Sequence, residues 1–200
     1  MQSFGDIAFS PSVQRHQRRR GSLNGYQQQE GLPGPDGLGP DEVAFLAERD
    51  SFYLASVGEA GWPYVQHRGG PAGFLRVVDP THLAWVERSG NRQFVTAGNL
   101  DHDHRVSLIA VDYPSRQRLK VLGHARWDPE PSPELLANIG STGRIEGLVT
   151  VEVTAFDWNC PKYITPRYTE EQVAAFTAHL TRRIADLEEQ LAPRAEGGTV

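Results

Sequence analysis

The residues best suited to chemistry in this sequence lie in GWPYVQHRGGPAGF, at 61–74. The run before the glycines alternates like a β-strand, so that Gln66 and Arg68 point to one face and His67 points to the other. The Gly69-Gly70 pair that follows lets a second backbone or a ligand approach closely. A guanidinium beside amide donors at a strand end predicts a site for an anion, although Gly-Gly-Pro is also ordinary turn material.

Two further groups of basic residues indicate an anionic ligand. Arg92 lies in SGNRQ at 89–93, where Ser89 is a possible N-cap and the free N–H groups of a helix start favour phosphate. A second group, SRQRLKVLG at 115–123, alternates cations on one strand face with apolar residues on the other, the cations being Arg116, Arg118 and Lys120. Such a row indicates an anionic ligand or acids on a neighbouring strand, and a solvated outer face is the alternative.

Other kinds of site have weaker support in the sequence. The motifs GxGxxG, GxxxxGK[ST], GxSxG and HExxH, which mark common nucleotide-binding and catalytic classes, are absent. DHDH at 101–104 contains metal-ligand types, but it also suits a polar turn into a strand that starts at Arg105. The single cysteine, Cys160, cannot form an internal disulfide, and we interpret it as a small buried residue in a reducing, cytoplasmic environment.

Length and composition describe one ordinary domain without a membrane segment. The chain has 200 residues, 38% of them hydrophobic, and its mean hydropathy is -0.47. No apolar run approaches the roughly 20 residues of a membrane helix. The formal net charge of -5 gives no global attraction to nucleic acid, and we interpret the basic run at 15–20 as a solvated helix face. We therefore expect neither a membrane nor a nucleic-acid partner.

Seven short runs with β-favouring composition and period-two alternation follow Ser51. Turn material such as GEAGWP and GGPAG separates them. Many short strands with close turns predict an antiparallel sheet that closes, or nearly closes, into a barrel. The runs are SFYLASV, YVQHR, FLRVV, HLAWVE, RVSLIAV, RLKVLGHARW and GLVTVEVTAF.

Five helices are predicted around this sheet from caps and breakers. The first helix runs from Pro11 to a stop at Gly21, and the second begins at a cap at Asp41. The third runs from 90 to a stop at Gly98-Asn99, the fourth from 131 to 140, and the fifth from Thr169 to Leu191. We divide the chain into an amino-terminal helical arm and linker, a central barrel domain, and a carboxy-terminal helix and tail, at 1–40, 41–168 and 169–200.

The last helix carries an apolar stripe with heptad spacing, formed by Leu180, Ile184, Leu187 and Leu191. Two repeats are too few to establish a coiled coil. Packing of the stripe against the barrel is the alternative, and both interpretations stay open on the sequence.

The combined pattern of several segments resembles the pyridoxamine 5'-phosphate oxidase-like family of flavin-nucleotide-binding proteins, and in particular a bacterial branch with an FDWNCP-like segment. The segments lie between about 50 and 168 and are HRGGP, WVERSGNRQ, NL, DYPSRQRLKVLG and FDWNCPKYITPRY. The resemblance implies a mainly β fold, a six-stranded antiparallel split β-barrel of the FMN-binding type, with an amino-terminal arm and a carboxy-terminal helix. It also implies a homodimer in which two subunits share each FMN cleft.

The same resemblance implies which residues contact the cofactor. Arg68 corresponds to the family's phosphate-binding arginine. Gln66 and His67 lie beside it on the same strand. The other corresponding positions are a helix start at Asn91, Arg92 and Gln93, a cofactor-facing strand at Trp85, Val86 and Glu87, and one residue of a later strand, Arg118. The residues themselves suggest aromatic walls for a flavin ring at Trp62, Trp85 or Trp158, for which core packing is the alternative.

The chain departs from the family's oxidases where they bind substrate. HRGGP stands where those enzymes have a lysine-ended strand, and their carboxy-terminal arginine-histidine motif is missing. We therefore expect an FMN-dependent oxidoreductase that acts on a substrate other than pyridoxamine phosphate. A flavin-binding or flavin-sensing module without turnover, or a barrel that uses deazaflavin or haem, is the alternative. His67 is the candidate for proton exchange with reduced flavin, and a structural histidine is the other interpretation.

Overall fold

One antiparallel sheet of seven strands organises the protein. The computed structural model describes residues 3–23, 37–139 and 145–191. The strand order is β2-β1-β5-β6-β7-β4-β3, and every neighbouring pair is antiparallel. The strands are β1 (Ser51–Val57), β2 (Pro63–Gly69), β3 (Arg76–Asp79), β4 (His82–Glu87), β5 (Arg105–Asp112), β6 (Gln117–Asp128) and β7 (Gly147–Trp158).

Six helices flank the sheet in the described residues. They are α1 (Phe4–Ala8), α2 (Pro11–Arg20), α3 (Pro40–Ala47), α4 (Val95–His102), α5 (Pro133–Ile139) and α6 (Glu170–Leu191). Part of the predicted linker within 1–40 lies outside the described residues. None of the helices in the described parts of the chain has both the length and the apolar character that a membrane span requires.

The sheet curls until its two ends meet through side chains. Phe52 of β1 packs edge-to-face on Trp85 of β4, with 5.1 Å between the ring centroids, although these strands exchange no ladder hydrogen bonds. The predicted mainly β class and all seven predicted runs are confirmed. The count of six strands is wrong, because β3 adds a short seventh strand beside β4, and the hydrogen-bonded sheet is not closed.

The core fills the inside of this curled sheet. Inward residues alternate with outward ones along β1 and β6, whereas β4 is buried on both faces at Leu83, Ala84 and Trp85. Gly123 lies at a bulge between β6 and β7, where a Cβ would come within 2.5 Å of the Glu152 carbonyl oxygen. The largest fully buried side chains include Trp85, Phe52, Leu46, Leu54, Leu75 and Leu83.

The ends of two amino-terminal helices test the predicted caps. Ser10 caps α2 with its hydroxyl, and Gly21 ends this helix at φ 71°, as predicted. Asp41 does not cap α3. The cap is Gly39, whose backbone N–H donates to the Glu42 carboxylate at 2.8 Å, so the acid three residues on replaces a capping side chain.

The helix predicted from residue 90 begins five residues later, at Val95. Arg92 and Phe94 adopt left-handed conformations with φ of 55° and 51°, which end the preceding loop and cannot continue an α-helix. The predicted stop at Gly98-Asn99 is also wrong. The Asn99 side chain is buried and donates to Ser56 Oγ at 2.9 Å, so a tertiary contact outweighs the local stop signal.

The carboxy-terminal helix begins with the predicted capping box. Thr169 Oγ1 accepts from the Gln172 backbone N–H, and the Gln172 side chain accepts from the Thr169 N–H. None of the residues of α6 is buried. The stripe from Leu180 to Leu191 therefore does not pack on the barrel of its own chain.

Candidate functional site

A pocket of about 250 Å³ opens where the two ends of the sheet meet. It lies between β2, the end of β4, the following loop and the start of α4. Its lining is rich in arginine, glutamate and backbone N–H groups. The lining residues are Tyr64, Gln66, Arg68, Glu87, Arg88, Gly90, Asn91, Arg92, Gln93, Phe94, Val95, Thr96, Ala97, Trp127, Glu146 and Val149.

Arg68 is the central charged group of this pocket. Its Nη1 donates to Glu87 Oε2 at 2.7 Å, and its Nη2 donates to Thr96 Oγ1 at 3.0 Å. The two charged side chains are only 16% and 17% exposed, so solvent screens this ion pair weakly. The pair joins β2 to β4 across the gap in the sheet.

The partners of Arg68 are themselves held in place. Trp85 Nε1 donates to the other Glu87 carboxylate oxygen at 2.7 Å, and Thr96 Oγ1 donates to Gln66 Oε1 at 3.0 Å. Both carboxylate oxygens of Glu87 are therefore engaged. Arg68 Nε is buried and has no hydrogen-bond partner among the described residues. This chain of contacts fixes the guanidinium while leaving several of its N–H donors unused.

A second cation lies at the rim. Arg92 Nε contacts Glu146 Oε1 at 3.2 Å, and the arginine side chain is 66% exposed. The Asn91 side chain accepts from the backbone N–H of Gln93 at 3.2 Å, which shapes the loop. Arg92 therefore belongs to this loop and not to the first turn of α4, whose start provides N–H groups three residues further on.

Aromatic side chains form one wall of the pocket. Phe94 and Trp127 lie with their ring centroids 6.1 Å apart. Trp127 was not among the predicted site residues, although it continues the inward alternation of β6 after Ala125. Of the three tryptophans considered there, Trp85 is in the core, Trp62 is exposed and Trp158 donates to Glu42 on α3, so the lining includes none of the three.

Six of the predicted site residues meet in this pocket, and the other four do not. The pocket brings together Gln66, Arg68, Glu87, Asn91, Arg92 and Gln93. His67 points to the opposite face of β2, where it packs on Tyr53. Val86 points away from Glu87 and packs beside Leu148, and Trp85 is completely buried. The alternation of β2 and β4 explains these placements of His67 and Val86.

Arg118 is the fourth residue outside the pocket. It lies near the start of β6, nine residues from Trp127, which corresponds to about 30 Å along a strand. Its Nε is buried without a hydrogen-bond partner among the described residues. Arg116 does not share the strand face of Arg118 and Lys120, because it lies in the preceding turn at φ 59°. The predicted row of three cations is therefore two.

The DHDH segment is divided between two structures: Asp101 and His102 end α4, and Asp103 and His104 form the polar connection into β5 that was the alternative to a metal site. Asp103 accepts hydrogen bonds from the side chain and backbone N–H of Arg105, which hold the pKa of Asp103 well below its usual range. No cluster of potential metal ligands occurs in the described parts of the chain. Cys160 is exposed, so its interpretation as a buried residue is wrong.

Solved structures with the same fold are distant in sequence. HupZ from Group A Streptococcus is 12% identical, with a TM-score of 0.50 over 66% of this chain and 99% of that chain. A Lactobacillus delbrueckii protein provisionally assigned as a pyridoxamine 5'-phosphate oxidase is 23% identical, with a TM-score of 0.49 over 62% of this chain and 95% of that chain. HutZ, the heme storage protein from Vibrio cholerae, is 15% identical, with a TM-score of 0.41 over 60% and 94% of the two chains.

The solved structures show only a similar fold, whereas a family model assigns the chain to a protein family. No curated protein sequence matches the chain. The model described as pyridoxamine 5'-phosphate oxidase matches residues 38–154, more than half of the sequence. This match includes β1 to β6, α4 and every residue that lines the pocket. The family model confirms the predicted split-barrel class, and the chain belongs to the pyridoxamine 5'-phosphate oxidase family.

Proposed function

We propose that the pocket binds FMN and that the protein is a flavin-dependent oxidoreductase whose substrate is not pyridoxamine 5'-phosphate. The observation that carries this proposal is the position of Arg68. Glu87 and Thr96 hold its guanidinium beside the first turn of α4, and its remaining N–H donors are free for an anion. A phosphate at this place would meet both a fixed cation and the positive end of a helix.

The charges of the lining suit one phosphate group. Three arginines and two glutamates line the pocket, so its formal charge is +1. Arg68 and Arg92 each contact one of these glutamates. These contacts reduce the positive potential in the pocket, but they fix the direction of the guanidinium groups. Hydrogen bonds to a charged group contribute about 1.5–3 kcal/mol each, so two or three fixed donors are enough to select the phosphate.

The aromatic wall suits the ring of the cofactor. Trp127 and Phe94 offer apolar surface beside the polar end of the pocket, the combination that small-molecule sites usually show. Bound FMN would supply the electron transfer, and the protein would position and tune it. The pocket lining contains no histidine, lysine or cysteine. His67 lies on the other face of β2, so we no longer propose it as a proton donor.

The size of the pocket supports a shared site. Its volume of about 250 Å³ lies below the range of about 300–1,000 Å³ that is typical of small-molecule pockets. One chain therefore encloses only part of a flavin nucleotide, and we propose that a second subunit of a homodimer completes each cleft. A cytoplasmic location belongs to the same proposal, since the single cysteine leaves no internal disulfide to form.

The alternatives differ in what the pocket must provide. Haem iron needs an axial ligand such as histidine, cysteine, methionine or tyrosine, and of these the lining includes only a tyrosine, Tyr64. The part of the lining that one chain contributes therefore favours flavin over haem. A deazaflavin nucleotide would use the same phosphate and ring contacts. A flavin-binding module without turnover would also use them, so experiments must separate these three.

The test identifies the ligand that purifies with the protein, or that binds to it when added, from its visible spectrum and its mass. Oxidised flavin bands with the mass of FMN would support the proposal, whereas a haem spectrum or a deazaflavin mass would contradict it. Bleaching of the bound flavin by NADH or NADPH, followed by catalytic turnover with an added acceptor, would identify an oxidoreductase. Stable binding without reduction by either donor would identify a binding module instead.

A further inference from the structure

The helix α6 presents a long apolar stripe that no described residue of its own chain covers. The stripe follows heptad positions over 19 residues, or about 27 Å of helix, and its side chains are 40–81% exposed. Position d is occupied by Val173, Leu180 and Leu187, and position a by Thr177, Ile184 and Leu191. The Thr177 hydroxyl donates to the Val173 carbonyl at 2.9 Å, so the one polar residue in the stripe is already satisfied.

A helix of this kind needs a partner to be stable. Isolated helices in water are marginal, and most helical stability in proteins comes from burying an apolar face. α6 gains its capping box from Thr169 and Gln172, but no residue of the helix is buried. The stripe therefore represents apolar surface that another molecule must cover.

The polar residues of α6 narrow the choice of partner. The helix carries five acidic residues and two basic ones, the reverse of the lysine- and arginine-rich helices that lie on anionic membranes. The pattern instead matches a second copy of the same helix. In parallel coiled coils, Ile at position a with Leu at position d favours two strands, and Ile184 between Leu180 and Leu187 has this arrangement.

The charged residues beside the stripe fit the same arrangement. Arg183 occupies position g, and Glu188, five residues later, occupies position e. In a parallel pair, g of one helix faces the following e of the other. Two Arg183–Glu188 pairs would therefore form across the seam by symmetry. Arg182 and Glu189 lie at position f and point away from the seam.

We propose that the α6 helices of two copies of this chain associate in parallel as a two-stranded coiled coil. Ile184, Leu180 and Leu187 form its seam, and Arg183 and Glu188 flank it. The proposal does not rest on FMN binding, because α6 contributes no residue to the pocket. It identifies the occupant of this face as another α6 and specifies the direction and register of the pair.

The test uses the distance between equivalent residues. In a parallel pair in register, residue 184 lies opposite its own copy, within the range where two cysteines form a disulfide. The exposed Cys160 is first replaced by serine, and Ile184→Cys is then compared with Ala185→Cys, whose side chain points outward. Mild oxidation followed by non-reducing electrophoresis should cross-link the Ile184→Cys chains and leave the Ala185→Cys chains largely monomeric.

Charge reversal tests the register without changing the seam. In the Ile184→Cys background, Arg183→Glu should place acid against acid and reduce cross-linking, and a further Glu188→Arg should restore it. Arg182→Glu, at an outward position, is the matched control and should leave the yield unchanged.

The following results would overturn the proposal. The first is an equal cross-linking yield from the Ile184→Cys and Ala185→Cys chains, and the second is an equal effect of Arg182→Glu and Arg183→Glu on that yield. The third is efficient cross-linking only between Ile184→Cys and Leu187→Cys chains, which would indicate an antiparallel pair. None of these readouts depends on a flavin, so a failure here is distinct from a failure of the proposed function.

Discussion

The guanidinium of Arg68 has more donors than the protein uses. Two of its N–H groups donate to Glu87 and Thr96, and its Nε–H is buried with no partner among the described residues. A guanidinium has five N–H donors, and only two of those on the Arg68 Nη groups are used by Glu87 and Thr96, so donors remain there for an anion in the pocket. Arg92, two-thirds exposed and paired with Glu146, has a smaller share in such binding.

Replacing Arg68 by alanine should weaken FMN binding roughly tenfold to a hundredfold, the effect of losing a charge-assisted hydrogen bond worth about 1.5–3 kcal/mol. Riboflavin, which lacks the phosphate, should lose much less affinity. Titration of both ligands into both proteins measures the difference. Arg92→Ala should have a smaller effect, and Arg126→Ala, on the outer face of β6, should have none. Equal losses for FMN and riboflavin would place the phosphate elsewhere.

Arg49 and Asp112 form a second partly buried ion pair, outside the pocket. Arg49 is 8% exposed, and its Nη1 lies 2.6 Å from Asp112 Oδ1. Burial would raise the pKa of Asp112, but hydrogen bonds from Ser115 and Arg49 outweigh it and hold the pKa below its ordinary value. A lowered carboxyl pKa stabilises the fold above the unfolded-state pKa of about 3.9, and this stabilisation is lost as pH falls through the folded-state pKa.

We therefore expect Asp112→Asn to lower the free energy of unfolding at pH 7 by about 1–3 kcal/mol, since it leaves the buried Arg49 with only the exposed Glu48 as a charged partner. Urea denaturation from pH 7 down to pH 3 measures the effect. The difference from the parent protein should begin to shrink below about pH 4, where the carboxyl of the unfolded chain becomes protonated, and should shrink further as the pH falls toward the lowered folded-state pKa of Asp112. Asp101→Asn, at an exposed position of α4, is the control. A difference that is constant with pH would exclude ionisation as the cause.

Among the elements, α3 and the end of β7 depend on one side chain. The Glu42 carboxylate accepts from the Gly39 N–H at 2.8 Å and from Trp158 Nε1 at 2.6 Å. Trp158 also packs edge-to-face on Phe45, with the ring centroids 4.8 Å apart. The carboxylate thus caps a helix and anchors the tryptophan of the FDWNCP segment.

Glu42→Ala should destabilise the protein by about 1.5–3 kcal/mol, because it removes two hydrogen bonds to a charged group and leaves the Trp158 indole N–H without its acceptor. The midpoint of urea unfolding measures this change. The neighbouring exposed residue gives a matched control: Asp41→Ala should cost less than about 1 kcal/mol, the usual effect of one charge in a first helical turn. Similar losses for both variants would mean that the contact to Trp158 adds nothing.

A helix or strand could be predicted from the sequence when the residues that determine it are neighbours in the chain. Strand alternation and the Ser10 and Gly21 signals of α2 depend on neighbouring residues, and the structure has them where the sequence predicts them. The start of α4 depends on the left-handed conformation of Phe94, and its continuation past Gly98 depends on the bond from Asn99 to Ser56. Neither has a local pattern.

The site shows the same division. Strand alternation correctly placed Gln66 and Arg68 on one face of β2, and the loop residues Asn91 and Arg92 were found beside them. Thr96, Trp127 and Glu146 were missed, because they reach the pocket only when the sheet curls and its ends meet. Curling of a sheet follows from the packing of its whole inner face, which no short segment of sequence encodes.

For the whole molecule, we expect a homodimer when FMN is bound, because the pocket of one chain is too small to enclose the ligand. Light scattering or sedimentation of the flavin-bound protein at micromolar concentration measures the mass. The Cys160→Ser variant should give the same result, which excludes a disulfide between the exposed cysteines as the cause. A monomer that retains stoichiometric flavin would contradict the shared cleft.

The order of strands in the sheet also determines how the chain can fold. β5, β6 and β7 follow one another in the sheet as they do in sequence, and the pairing of β5 with β6 closes only a short loop. β4 joins the sheet only through β7, and Trp85 pairs with Val149, 64 residues away. Distant pairings form late because the loss of chain entropy precedes the gain in contacts. We therefore expect the gap between β2 and β4 to be bridged only after the long-range pairings of β1 with β5 and of β4 with β7 have formed, so that the pocket forms late in folding.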